Sequence, residues 1–160
     1  GTVLTISGTG KMGDYEYPNY APWGTSITKV IIQNGVTSIG DSCFGSCTAL
    51  TDVSIPDSVK TIGEFAFNET GLTSVNIPDG VTNIVDSDAF CKCPGLADKK
   101  GFVIIKNMLF GYFGKKSDIV IPKDVTIICS GAFAKNQTIK SGLTSFHSVY
   151  HFRQTMAHRW

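Results

Sequence analysis

Apolar residues along this chain fall two apart, then three apart, then close on a phenylalanine, and the figure repeats. The pairs two apart are Val30/Ile32, Val53/Ile55, Val75/Ile77 and Ile119/Ile121. That is the period of a strand with one face buried. Pro56, Pro78 and Pro122 follow directly. Proline cannot donate to a sheet ladder, so each one ends its strand. A second short buried stretch comes next: Val36/Ile39, Val59/Ile62, Val81/Ile84 and Val125/Ile128. Phe44, Phe67, Phe90 and Phe133 then stand behind small residues, Cys43, Ala66, Ala89 and Ala132. A small residue beside a bulky ring suits a tight turn packed against its neighbour.

The matched segments begin at Ile27 (ITKVIIQNGVTSIGDSCFGSCTA), Leu50 (LTDVSIPDSVKTIGEFAFNETG), Leu72 (LTSVNIPDGVTNIVDSDAFCKCPG) and Ile119 (IVIPKDVTIICSGAFAKN). The period is about 22 or 23 residues, the mark of a repeat architecture. No single turn buries its own apolar edge. Stacked turns do, with parallel strands about 4.8 Å apart. The pattern predicts a right-handed, mostly β solenoid of about six turns, with a curved parallel sheet and little regular helix. A sandwich of short strands would not need matched columns at fixed spacing.

Three ranges follow: 1–26 as an N-terminal capping strand or hairpin and loop, 27–146 as the solenoid, and 147–160 as a tail. Within the solenoid, about 96–118 is irregular. There GFVIIKNMLFGYFGKKSD fits one shortened turn, with Val103 and Ile105 in the strand columns and Leu109 and Tyr112 in the second stretch. That turn lacks the A-F segment. Lys106-Asn107 equally fits the bend of a small hairpin, but the expected arrangement is one turn lengthened before Val103 and one shortened after it, giving six rungs in all. At the front, Val3 or Leu4 and Ile6 alternate with polar residues, and Trp23 is expected to pack on the first rung. At the back, Leu143 and Phe146 begin a sixth strand. Val149, Phe152, Met156 and Trp160 then fall at helical spacing behind Ser148, a plausible N-cap for a short capping helix.

Composition narrows the function. The 160 residues are 42% hydrophobic and 17% charged, with 14 basic and 13 acidic residues and a net charge of +1. Lys and Arg do not cluster, so neither nucleic acid nor an anionic membrane is an expected partner. No apolar run approaches the roughly 20 residues of a membrane span. The chain opens on Gly1 rather than Met and carries no signal peptide, which fits a processed or trimmed chain. The five cysteines cannot all pair, and they do not read as a disulfide framework.

The pattern IPDSVKTIGEFAF…LTSVNIP resembles the BspA-type leucine-rich repeat of bacterial surface proteins, a type also found on some protists. GTVLTISGTGKM…APWGTSITKVII is similar to the segment that often precedes such repeats, and GFVIIKNMLFGYFGKKSDIVIP to the family's variant turn. The likeness covers roughly residues 1–146. It implies a leucine-rich-repeat solenoid, secretion or display at the cell surface, often as one part of a longer protein, and adhesion or protein recognition. It carries over no catalytic residue, cofactor or metal.

The strand geometry defines which residues face outward on the strand side: Lys29 and Ile31, Asp52 and Ser54, Ser74 and Asn76, Phe102 and Ile104, Asp118 and Val120, Ser145 and His147. In a curved solenoid this is the usual recognition surface. Ile31, Asp52, Ser54, Asn76, Phe102, Ile104 and Val120 are its candidate ligand-binding residues, an apolar centre within a polar rim. Polar substitutions at Phe102 and Ile104 are then expected to weaken binding without unfolding the chain. The competing reading covers Ile104 and Val120 with the irregular turn itself. The expected partner is a protein, with a glycan second, and the alternative is a spacer that self-associates through an open end. The threonine column, Thr28, Thr51, Thr73 and Thr144, reads as a structural hydrogen-bond ladder.

Catalytic and metal readings fail on spacing. Asp52, Ser74 and His147 would make a triad, but His147 lies three rungs, roughly 14 Å, beyond Ser74. A nucleophile and its base need about 3 Å. Cys47 and Cys93 share a column two rungs apart, near 9.6 Å, beyond the roughly 7 Å a disulfide spans. A local Cys43–Cys47 bridge is the remaining option, and otherwise the cysteines are small buried residues. Asp86-Ser-Asp88 starts like a calcium loop but lacks its glycine and distal glutamate. Asn68-Glu-Thr70 and Asn136-Gln-Thr138 are glycosylation sequons.

Overall fold

The computed structural model describes residues 1–16, 21–85, 88–134 and 136. Sheet A holds β1 (Thr2–Ile6), β3 (Ile27–Ile32) and β5 (Asp52–Ser54), all parallel. Sheet B holds β2 (Gly10–Lys11), β4 (Val36–Ile39), β6 (Thr61–Ile62) and β7 (Asn83–Ile84), again parallel. The first three turns contribute a segment to each sheet and the fourth to sheet B alone, and the whole is a β-solenoid of about five turns. The described residues contain no α-helix, only a 3₁₀ turn at Pro94–Leu96. The sixth strand, the capping helix and the tail 147–160 lie outside the described residues.

The columns hold the core. Val30, Val59, Ile62, Phe44, Phe67 and Phe90 are fully buried. Trp23, Phe44, Phe67 and Phe90 form a stack with ring centroids 5.5, 5.3 and 5.2 Å apart. Trp23 is therefore on the first rung as expected, and its Nε1 donates to the Cys43 carbonyl at 2.9 Å. Tyr15 closes the stack edge-on at 5.5 Å.

The N-terminal segment is more than a cap. β1 and β2 enter both sheets in the parallel sense of the later turns, so residues 2–11 make a rung of their own rather than a hairpin.

Beside the phenylalanines the turns hold non-glycine residues in the left-handed region: Ser42, Phe65 and Asp88 at one column (φ 51, 52 and 58), Ser46, Glu69 and Lys92 at another (φ 61, 56 and 56). This lets alternate amides reach the next turn. Ser42, Phe44 and Ser46 donate to the carbonyls of Glu64, Ala66 and Asn68 at 2.8, 2.9 and 2.8 Å. Phe67 and Glu69 donate to Ala89 and Cys91 at 2.8 and 3.0 Å. The amides between them close within their own turn, Cys43 onto Gly40 and Cys47 onto Phe44. Turns press so closely here that a β-carbon on Gly63 would overlap the Asp41 carboxylate, and one on Gly40 the Gly13 carbonyl.

Side chains add rungs to the ladder. Thr28 and Thr51 hydroxyls donate to the Thr2 and Thr28 carbonyls at 3.1 and 3.3 Å, which gives the predicted threonine ladder at these two positions; Thr144 lies outside the described residues. Asp14 accepts from the Asp41 amide, Asp41 from that of Glu64, and Asp88 from that of Gly131.

The irregular segment takes the hairpin form. β8 (Phe102–Ile105) pairs antiparallel with β9 (Met108–Tyr112). Lys106 and Asn107 bend with φ 45 and 64, both positive as a type I′ turn requires. β9 also pairs in parallel with β10 (Ile127–Ile128), with Leu109 opposite Ile128, the position the sequence alignment gave to Tyr112; the Tyr112 amide instead reaches the Ala132 carbonyl. The missing A-F phenylalanine is replaced by Phe110, which meets Phe90 edge-on at 5.5 Å. Sheet A stops at β5. Val75, Ile77, Ile119 and Ile121 are half-buried but belong to no strand, so the curved parallel sheet is shorter than the repeat count suggests.

Phe67 is at the centre of the ring stack with no exposed surface. Phe67→Ala should cost about 3–5 kcal/mol, read as a lower denaturation midpoint in guanidinium.

Candidate functional site

The outer face of sheet A presents two cross-strand rows. Val3, Lys29 and Asp52 form one, and Thr5, Ile31 and Ser54 the other. Asp52 and Ser54 are exposed and Ile31 is half-buried between them. Lys29 Nζ meets Asp52 Oδ2 at 2.6 Å, with both side chains about half exposed (44% and 56%). Such a pair contributes at most about 1 kcal/mol, so it remains open to exchange for an outside partner. Ser74 and Asn76 continue the face on the next turn, both exposed.

At the proline corner this face runs into a groove of about 490 Å³, lined by Asn34, Ile55, Pro56, Asp57, Asn76, Ile77, Pro78 and Asp79. Asn76 therefore joins the strand face to the groove. The groove residues Asn34, Asp57 and Asp79 were not among the sequence candidates. Their signal is the residue that follows each strand-ending turn, a carboxylate after Pro56 and Pro78 and an amide at Asn34.

The second half of the predicted surface differs. Phe102 is buried (4% exposed), not outward-facing. It lies against Tyr112 at 4.8 Å, in a small cluster with Leu109 and Ala132. Ile104 is half-buried against the same cluster. The cause is the hairpin: Val103 packs on the main core while Phe102 packs on the second, so both faces of β8 are covered. The expectation that polar residues at Phe102 leave the fold intact is corrected accordingly. Val120 is 83% exposed, but it follows this second cluster and stands apart from the sheet A rows.

Phe65 is a further surprise, exposed (38%) with φ 52 in the column that Ser42 and Asp88 occupy elsewhere. An aromatic among small polar residues was the available sign.

The other chemistry is structural. All five cysteines are buried, and Cys43 and Cys47 form no bridge. Burial pushes the Cys43 thiol up to about 12, and those of Cys47 and Cys91 to about 11; Cys93 is raised by the same cause. Cys93 lies 3.2 Å from the Thr70 hydroxyl, across the column the sequence aligned. Asp88 holds Ser130 and Gly131, while Asp86 and Ser87 lie outside the described residues. Asn68 and Thr70 are buried, which closes that sequon to modification. Asn136 Nδ2 clasps the hairpin through the Tyr112 and Gly114 carbonyls. Its hydrogen bond to Glu69 holds Lys92 above its ordinary value. Among the described residues no three metal-binding side chains gather, and no helix is long and apolar enough to cross a membrane. Ser145 and His147 lie outside the described residues.

Short parallel strands, proline corners and stacked phenylalanines in register define a solenoid of leucine-rich repeats. The chain belongs to the BspA type leucine rich repeat family, whose model matches six copies over residues 16–140. Two solved structures are similar. A leucine-rich repeat protein from Eubacterium ventriosum is 25% identical over 79% of this chain and 50% of its own, with a TM-score of 0.48. A leucine rich cell surface protein from Faecalibacterium prausnitzii is 32% identical over 64% of this chain and 31% of its own, with a TM-score of 0.50. This chain thus spans half the length of the first and less than a third of the second. No curated protein matches it.

The buried thiols give a pH prediction. They stay neutral in the folded chain, whereas unfolded thiols ionise near 9. Stability should therefore be flat with respect to these groups below about 9 and fall as pH rises from there towards 12. Chemical denaturation at stepped pH reads this. At pH 8, a thiol reagent should label the chain in denaturant and leave the folded chain nearly unmodified.

Proposed function

We propose that this chain is a non-catalytic recognition module, secreted or displayed at the cell surface, which holds a partner protein on the outer face of its strands. The observation that carries this reading is the outer strand face, with Asp52, Ser54 and Asn76 exposed and Ile31 half-buried opposite Ser54, running into the groove at the proline corner. A weak ion pair, a half-buried isoleucine and a mostly polar groove supply the mix of apolar contact and polar rim that protein interfaces use. The description of the Faecalibacterium prausnitzii protein as a cell surface protein supports the location. Adhesion is the corresponding role. The non-enzymatic reading rests on the repeat family and on a polar face whose groups serve the ladder or meet solvent. Val120 and Ile104 lie apart from this surface, and Phe102 serves the packing of the hairpin.

The test is binding of immobilised 1–160 chain to a panel of purified host extracellular-matrix proteins, with soluble glycans as a parallel arm. A double variant, Asp52→Lys with Asn76→Lys, should keep the melting temperature within a few degrees and weaken binding about tenfold or more, a loss of about 1.4 kcal/mol. Phe102→Ser should instead lower the melting temperature, because it empties a packed site at a cost of about 3 kcal/mol. A partner held equally by the natural chain and the double variant would place recognition elsewhere. Binding confined to the glycan arm would replace the protein partner.

A further inference from the structure

We propose that the N-terminal end of the solenoid is a self-association surface, at which two copies of the chain pair head to head through β1. This goes beyond the recognition reading and uses a different surface.

Sheet A ends on β1, and among the described residues no strand covers its outer edge. Natural sheets protect such edges with charge, proline or a bulge that turns the edge away. Here residues 1–10, GTVLTISGTG, contain no charged side chain and no proline. The register shift lies at Thr2/Val3, so Val3–Ile6 run regularly beside β3. Val3 is 55% exposed.

The free edge is complementary to itself. The Ile6 carbonyl accepts from Gln33 at 2.9 Å, so Ile6 turns its backbone groups towards β3. Backbone groups alternate sides along a strand, and those of Val3 and Thr5 therefore point outward. An edge can meet its own copy about a twofold axis only in the antiparallel sense. Centred on Leu4, that pairing sets Val3 of one copy opposite Thr5 of the other, and each such pair exchanges both of its hydrogen bonds.

Two further features select a second copy over a lone extended segment. Sheet B stops at the same end, on β2. Between the two edges lies a cleft of about 240 Å³ lined in part by Ile6, Met12, Tyr15, Trp23 and Val36. A second solenoid end covers this mixed polar and apolar surface, which a single strand leaves wet. The charges nearby, Lys11 with Asp14 and Glu16, are of both signs, so two such ends do not simply repel. Val3 and Thr5 continue the rows of Lys29 and Ile31. The pairing therefore joins two outer strand faces into one sheet and presents two recognition faces side by side, which gives avidity without new contacts.

The geometry supplies a clean test. The Thr5 amide faces the free edge, so Thr5→Pro removes a donor that the fold does not use and that the dimer needs. The mass of the 1–160 chain is followed by light scattering and sedimentation from low micromolar to submillimolar concentration. The expected result is a monomer passing to a dimer, with Thr5→Pro at unchanged melting temperature and a dissociation constant raised about tenfold or more. Val3→Lys, which charges the same edge, should weaken the dimer likewise, and it decides the matter if Thr5→Pro fails to fold. A monomer at every concentration overturns the proposal. So does a dimer indifferent to the variants, or an assembly that grows past two, since that would use both ends.

Discussion

The structure depends on turns hydrogen-bonding to turns on the side away from the strands. β5 has three residues, and β6, β7 and β10 have two each. Ladders that short do not hold a stack alone. The alternating amides of the phenylalanine turns supply the rest, reaching the next turn from Ser42, Phe44, Ser46, Phe67 and Glu69. Reaching it requires left-handed backbone at residues other than glycine, which costs roughly 1–2 kcal/mol at each such position. The ring stack offsets that cost. Its spacings of 5.2–5.5 Å are close to the roughly 4.8 Å between neighbouring strands, so the same translation that pairs the amides also packs the rings.

Much of this was legible. Apolar pairs with a following proline located the corners and the strand at Val53, whereas the same pattern at Val75 and Ile119 forms no ladder. The phenylalanine column located the core, the threonine column located a real ladder, and Trp23 was placed on its rung. What the sequence left open was settled by competition between local and stacked pairing. Lys106-Asn107 bends tightly enough for β8 to find β9 before it finds a neighbouring turn, and the hairpin results. The front segment reads as an isolated alternating strand, yet its two halves match both sheets, which makes it a rung.

The recognition surface was half legible for the same reason. Side-chain alternation along a strand assigns faces correctly where the strand is part of one continuous sheet, as at Asp52 and Ser54. It fails at Phe102, because the hairpin carries a second cluster on the face that would otherwise meet solvent. The groove was missed because its residues sit beyond the strands, where period-two reasoning stops. The solenoid thus leaves the outer strand face of its front half open and closes its back half over Phe102, Tyr112 and Ala132.

Native-state hydrogen exchange, resolved by residue, tests the turn-side ladder most directly. The account predicts that the Phe44, Ser46, Phe67 and Glu69 amides exchange as slowly as those of β3 and β4, in one cooperative block. Fast exchange at these turn amides, with the strand amides still protected, would contradict it.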